Sequence, residues 1–106
     1  MTTSTEFHVI YGTGPIGASI MRELVAKGKR IRMINRSGRP SLQTGSPAGV
    51  EFVSGDAYNA DFNREAARGA THVYQCAQPE YHEWVEKFPP MQQAILEGAA
   101  ANDAKL

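Results

Sequence analysis

Three glycines near the start of the chain have the spacing G-x-G-x-x-G, at Gly12, Gly14 and Gly17. Where a strand turns into a helix, the first glycine makes the tight turn and the second lets the backbone approach a phosphate. The third lets the helix pack closely on the strand. A helix that begins here also presents unpaired N–H groups and the positive end of its dipole. The pattern therefore predicts a binding site for the pyrophosphate of a dinucleotide.

The residues after the glycines predict the helix that this site needs. Pro15 suits a first helical turn, and a helix from about Pro15 to Lys27 places Ile16, Ile20 and Leu24 on one face. We expect Pro15 and Ile16, which begin this helix, to lie beside the pyrophosphate together with the glycines. A glycine-rich turn in some other α/β protein is the alternative.

Apolar runs on both sides of this helix predict two strands. Val9–Tyr11 precedes the glycines, and Ile31–Ile34 follows the helix. A strand, a glycine turn, a helix and a second strand within about 25 residues are typical of a βαβ unit. This context agrees with a dinucleotide-binding turn.

The end of the second strand indicates which dinucleotide is bound. NAD-binding folds usually have an Asp or Glu about 20 residues after the glycines, which accepts a hydrogen bond from the ribose 2′-hydroxyl. This chain has Asn35 there, followed by Arg36, Ser37 and Arg39. A carboxylate would repel a 2′-phosphate, whereas a guanidinium binds one through charge-assisted hydrogen bonds. The sequence therefore favours NADP(H) over NAD(H), with Arg36 and Ser37 at the 2′-phosphate and Asn35 in the same site. Solvated loop arginines are the alternative.

Length and composition exclude several other classes of protein. The 106 residues predict one domain, residues 1–106. The 11 basic and 11 acidic residues balance, which gives no field suited to nucleic acid or to an anionic membrane. No apolar run approaches the roughly 20 residues of a membrane span. The polar N-terminus does not resemble a signal peptide, and the single cysteine, Cys76, excludes an intrachain disulfide, so we expect a cytoplasmic protein.

The rest of the chain continues the alternation of strands and helices. Such alternation, with right-handed crossovers, predicts an α/β fold of the Rossmann type, in which a parallel sheet of about four strands is ordered 3-2-1-4 between layers of helices. The predicted elements are a loop over residues 39–49, a strand over 50–53, a helix from Asn59 or Ala60 to Arg68, a strand over 71–77, a short helix from Pro79 that breaks at Pro89 and Pro90, and a last helix to Asn102.

Four segments together resemble the extended short-chain dehydrogenases, and more narrowly the N-terminal part of the NAD-dependent epimerase/dehydratase family. They are residues 12–17, Asn35-Arg36-Ser37, Gly55-Asp56-Ala57 and Tyr74-Gln75-Cys76-Ala77. The resemblance implies that Asp56 contacts the adenine amino group with help from the Ala57 backbone, and that Ala77 lies along the cofactor. For Asp56, a turn-forming role after Gly55 is the alternative.

The chain lacks the catalytic pair of this family, a Tyr-x-x-x-Lys whose tyrosine is the acid and base for hydride transfer. Four positions after its four tyrosines the chain has Pro15, Phe62, Gln78 and Val85, and none of these is a lysine. We therefore predict an NADP(H)-binding domain with no catalytic residue of its own. The alternatives are the cofactor half of an oxidoreductase or epimerase that another subunit or further sequence completes, and a vestigial fold that binds nothing.

Two further expectations concern metals and oligomers. The motif His82-Glu83-x-x-Glu86 lacks the second histidine of a zinc helix, and neither His8 nor His72 lies at ligand spacing to it, so no metal site is predicted. In the family the fourth strand pairs with a fifth. Its open edge here predicts a homodimer or another homo-oligomer.

Overall fold

The computed structural model describes residues 6–42, 44–45, 47–76 and 84–102. They form four strands and three helices. Strands and helices alternate along the chain, except that the third strand follows the second with no helix in the described residues between them. The elements are β1 (Phe7–Tyr11), α1 (Pro15–Ala26), β2 (Arg30–Asn35), β3 (Val50–Ser54), α2 (Ala60–Ala66), β4 (His72–Gln75) and α3 (Trp84–Ala101).

The four strands form one parallel sheet in the order β3-β2-β1-β4, which confirms the predicted fold class. All five residues of the central strand β1 are buried, as expected for a parallel strand that is covered on both faces. β1 pairs with β2 from Phe7 opposite Arg30 to Tyr11 opposite Ile34. Among the described residues β4 pairs only with β1, and the expected homo-oligomer stays a prediction.

Helices cover both faces of the sheet. On one face, α1 packs Met21 and Leu24 against Ile10 and Met33 of the strands. On the other face, β1 packs against α2 and α3, for example through Val9, Ala66 and Ile95. Alternate residues of each strand point to opposite faces, so neighbouring residues of β1 belong to different cores. The sheet is thus the middle layer of three.

Some predicted element ends are wrong, among them the end of α2, which lies at Ala66 rather than at Arg68. The chain does not break at Pro89 and Pro90, because α3 is one helix from Trp84 to Ala101 with both prolines inside it. Proline withholds its own N–H, but its fixed φ is close to the helical value, and both prolines are exposed to water. β4 ends at Gln75 rather than at residue 77.

The loop between β2 and β3 has no helix in its described residues, as predicted. Among the described residues no helix is long and apolar enough to cross a membrane.

Candidate functional site

The glycine turn connects the carboxyl end of β1 to α1. Gly12 has a φ of 109°, in the left-handed region that favours glycine, and its N–H donates to the Ile34 carbonyl over 2.9 Å. Gly17 is buried against this turn, and a Cβ there would clash with the carbonyl oxygen of Gly12. The first and third glycines therefore have structural roles: one makes the turn, and the other lets α1 approach it.

The N-terminus of α1 is open toward solvent. The first intrahelical bond runs from Ala18 N–H to Gly14 carbonyl over 2.9 Å, so the N–H groups of Ile16 and Gly17 have no partner within the helix. No side chain caps this terminus, and its first turn contains no acidic residue. A Cβ on Gly14 would meet no atom within 4 Å. Pro15 and Ile16 are exposed beside it, and the whole arrangement suits an anion.

Asn35, at the end of β2, connects three loops. Its Nδ2 donates to the Thr13 hydroxyl over 3.1 Å and to the Arg39 carbonyl over 2.8 Å. Its Oδ1 accepts from Gly38 N–H over 2.6 Å, and its backbone carbonyl accepts from Gly55 N–H over 3.0 Å. Asn35 therefore holds the glycine turn, the turn after β2 and the turn after β3 together, and its side chain has little capacity left for a ligand.

Arg36 and Ser37 are both exposed in the turn that follows Asn35. The Ser37 hydroxyl accepts from Arg39 N–H over 3.1 Å, which shapes the turn. The Arg36 carbonyl accepts from the Ser54 hydroxyl over 2.7 Å, which fixes this turn against the end of β3. Arg36 thereby borders an open cleft of about 540 Å³, lined by Arg36, Ser54, Gly55, Asp56 and Tyr58.

Asp56 and Ala57 follow β3 and have structural contacts of their own. Asp56 is exposed, and its Oδ1 accepts from Tyr58 N–H over 2.9 Å, the hydrogen bond of an Asx turn. The Ala57 carbonyl accepts from the buried Asn63 side chain over 2.8 Å. The Asx turn agrees with the alternative role weighed for Asp56, while its carboxylate still borders the cleft beside Arg36.

Two residues of this edge have positioning roles that the sequence does not predict. Ser41 donates from its hydroxyl to the Thr13 carbonyl over 2.7 Å, so the loop after β2 folds back onto the glycine turn. Thr13 is thus held from both sides, by Ser41 and by Asn35. The motif contains Thr13, but no pattern in the sequence marks Ser41. Ala77, the last predicted site residue, lies outside the described residues.

Tyr11 is the tyrosine nearest to the glycine turn, and it is not suited to acid–base chemistry. It is 1% exposed and belongs to the core between the sheet and α3. Burial of its hydroxyl raises the pKa far above the usual value of a tyrosine, so the group stays protonated.

The NmrA-like family model matches residues 3–101, almost the whole chain. The chain belongs to the NmrA-like family. The match and the parallel sheet confirm the predicted Rossmann-type fold and the resemblance to epimerases and dehydratases that the sequence motifs indicated. A comparison with curated proteins gave no significant match.

Solved structures of the same fold are similar to this NmrA-like chain. A Rossmann-fold NAD(P)-binding family protein from Shigella flexneri is 18% identical with a TM-score of 0.77, over 96% of this chain and 49% of that one. The enzyme WbmH from Bordetella bronchiseptica, in complex with NAD+, is 16% identical with a TM-score of 0.78, over 93% and 36%. DesIV, a dTDP-glucose 4,6-dehydratase from Streptomyces venezuelae with NAD and TYD bound, is 16% identical with a TM-score of 0.76, over 92% and 37%. The chain thus spans about half of the first protein and little more than a third of the others.

Proposed function

We propose that this chain binds NADP(H), in preference to NAD(H), along the carboxyl edge of its sheet. The observation that carries the proposal is the α1 N-terminus, which has no side-chain cap, no acidic residue in its first turn and open space at Gly14. An uncapped helix N-terminus next to a glycine turn is suited to a pyrophosphate. Gly12, Gly14, Pro15, Ile16 and Gly17 would surround that group. The solved structures with bound NAD support a dinucleotide as the ligand.

The preference for a 2′-phosphate rests on the residues after β2. Asn35 stands where a carboxylate would accept from a 2′-hydroxyl, and its side chain is engaged with Thr13, Gly38 and Arg39. The exposed Arg36 and Ser37 come next, and Arg36 borders the cleft after β3. A guanidinium in that cleft attracts a dianionic phosphate more strongly than a hydroxyl. Asp56, Ala57 and Ala77 would meet the adenine and the rest of the cofactor, as in the family that the sequence resembles.

We further propose that the chain does not itself carry out hydride transfer. None of its tyrosines has the lysine four residues later that lowers the pKa of the catalytic tyrosine. Tyr11, beside the site, is buried with a raised pKa. The main alternative, the cofactor half of an oxidoreductase or epimerase, gains support from the greater length of the structurally similar proteins.

Titration with NADPH and with NADH, monitored by calorimetry and by nucleotide fluorescence, tests the preference for NADP(H). We expect NADPH to bind at least tenfold more tightly, a difference of about 1.4 kcal/mol. The same titrations with 2′,5′-ADP and 5′-ADP separate the 2′-phosphate from the rest of the dinucleotide. Failure of every nucleotide to bind would favour the vestigial fold.

Three variants assign the preference to Arg36. Arg36→Ala should abolish most of the difference between NADPH and NADH, whereas Arg36→Lys should keep part of it because the charge remains without the planar fork. Arg68→Ala is the matched control. Arg68 is an exposed arginine just after α2 that pairs with Glu65, so its loss should leave the affinities for NADPH and NADH unchanged. Equal losses from the Arg36 and Arg68 variants would reduce the role of Arg36 to general charge.

A turnover assay separates the binding domain from the enzyme. Purified protein is incubated with NADPH and a panel of carbonyl compounds, and absorbance of the reduced nicotinamide is followed. We expect no oxidation above the rate without protein. Sustained oxidation that depends on Arg36 would contradict the non-catalytic proposal and support the oxidoreductase reading.

A further inference from the structure

Glu6, His8 and His72 lie together at the amino edge of the sheet, on the face that α1 covers. Parallel pairing of β1 with β4 places His8 directly opposite His72. One ligand atom from each of the three residues lies within 4.8 Å of the other two. Among the described residues this is the single group of three metal-ligand types at such distances. Two imidazoles and one carboxylate are a ligand set that zinc and similar ions use.

Each histidine is oriented through the same ring nitrogen. The Tyr74 hydroxyl lies 2.9 Å from Nδ1 of His8, and the Thr71 hydroxyl lies 2.8 Å from Nδ1 of His72. The Thr71 hydroxyl also accepts from Phe7 N–H and donates to the Phe7 carbonyl, so it acts as an acceptor toward His72. A ligand histidine commonly donates through one nitrogen to such a partner and binds the metal through the other. An ion would therefore bind through the Nε2 atoms, of which that of His8 is hydrogen-bonded to Glu6.

The carboxylate of Glu6 is oriented in the same way. Its Oε1 lies 2.8 Å from Nε2 of His8, and its Oε2 lies 3.3 Å from the Lys29 ammonium. An ion bound to both would replace the hydrogen that they share, and the two atoms would move apart to about 3.3 Å, the spacing of ligands around a tetrahedral ion. The Lys29 charge opposes a cation, and the negative carboxylate between them compensates for it.

We propose that Glu6, His8 and His72 bind one divalent transition-metal ion such as Zn²⁺ through a carboxylate oxygen and two Nε2 atoms, with water at the fourth position. The two imidazole rings are stacked, with centroids 4.5 Å apart and planes at 12°. Because the lone pairs of stacked rings run nearly parallel, the rings would tilt on binding so that both Nε2 atoms face the ion. His72 is half-buried at the outer strand, so its ring can tilt without opening the core.

The ion would join β4 to the centre of the sheet. β4 is short, with four residues, and β1 is its single strand partner among the described residues. A ligand that binds only the folded state stabilises it. The site is distinct from the dinucleotide edge, because His8 precedes Gly12 by four residues, about 13 Å along an extended strand.

Cobalt binding to the full chain, without an affinity tag, tests the proposal. Co²⁺ is added to protein freed of metal with a chelator, and its visible d–d absorption is followed. We expect saturable binding of one ion per chain, displacement by Zn²⁺ and a rise in the melting temperature with metal. No saturable binding below millimolar Co²⁺ would overturn the proposal.

Substitutions show which residues hold the ion. Glu6→Gln and His72→Gln avoid the buried His8, and circular dichroism verifies that each variant is folded. Each should weaken Co²⁺ binding at least about tenfold. The control His82→Gln removes another histidine and should leave binding unchanged. Binding that survives His72→Gln, or that is lost in His82→Gln, would overturn the assignment. Arg36→Ala should not alter metal binding, which keeps this result independent of the proposed function.

Discussion

The two edges of the parallel sheet present opposite chemistry. The carboxyl edge offers mainly hydrogen-bond donors, namely the N–H groups at the start of α1 and the side chain of Arg36, with one carboxylate, Asp56, beside Arg36. The amino edge offers lone pairs, from one carboxylate and two imidazoles. The first edge is suited to an anion and the second to a cation. All strands run in one direction, so their amino ends lie on one side of the sheet and their carboxyl ends on the other. One small sheet can therefore hold two ligands of opposite charge apart.

The largest expected effect separates the second and third glycines of the turn. Gly17→Ser should lower the free energy of unfolding by about 3 kcal/mol, because its Cβ would press on the Gly12 carbonyl. Gly14→Ser should leave stability unchanged or raise it, since serine at this N-cap accepts from the free N–H groups. The same bond would occupy the donors that the pyrophosphate needs, so NADPH binding should be lost. Urea denaturation and NADPH titration measure both variants.

Cobalt binding is the control for the two glycine variants. Gly14→Ser should keep it, because the amino edge is untouched. A Gly14→Ser protein that binds NADPH as well as the wild type would show that this helix terminus is not the phosphate site.

Asn35→Ala should have the next largest effect. It removes hydrogen bonds to Thr13, Gly38 and Arg39 at the carboxyl edge, at a cost of about 1–2 kcal/mol in stability. Because Asn35 positions the loops rather than a ligand, NADPH and NADH affinities should fall together, unlike the selective loss in Arg36→Ala. Gln92→Ala, at an exposed position of α3, is the control. A loss confined to NADPH would instead make Asn35 a direct contact of the 2′-phosphate.

Tyr74→Phe tests the amino edge by itself. The phenol bonds to Nδ1 of the buried His8, and its removal leaves that nitrogen without this partner, at a cost of about 1 kcal/mol. Thermal unfolding should show the loss, and NADPH affinity should not change. Weaker NADPH binding in this variant would mean that the two edges are coupled.

The smallest effect concerns Cys76, which follows β4 at the carboxyl edge. Burial raises the pKa of its thiol. At mildly alkaline pH the fraction of reactive thiolate is therefore smaller than in an exposed thiol. Alkylation by iodoacetamide at mildly alkaline pH should be slower in the folded chain than in urea. Saturating NADPH should slow it further if the cofactor lies along this segment. Equal rates in the folded and unfolded chain would contradict the burial of the thiol.

Local patterns were sufficient for most of the fold. The apolar runs, the glycine turn and a helix start at Asn59 or Ala60 are encoded within a few residues, and the structure confirms them. The Asn59 side chain caps α2 by accepting a hydrogen bond from Phe62 N–H. The break predicted at Pro89 and Pro90 was wrong. Proline disfavours a helix interior locally, but α3 continues through both prolines as one helix.

The candidate site was only partly accessible from the sequence. The places of Gly12, Gly14 and Gly17 could be predicted from their spacing, because all three belong to one turn between a strand and a helix. The positioning roles of Asn35 and Ser41 do not, because their partner Thr13 belongs to another loop. His8 and His72 are 64 positions apart, so their spacing in the sequence does not indicate that they meet across β1 and β4.

By itself, the sequence determined a parallel α/β sheet with a glycine turn between its first strand and first helix, because strand periodicity and turn chemistry are local properties of the chain. Only the tertiary structure decided which polar residues meet. His8 and His72 are remote in sequence and become neighbours through the pairing of β1 with β4. Thr13 is likewise held by residues of the next loop, since hydrogen bonds between segments exist only after the strands that carry them have been arranged.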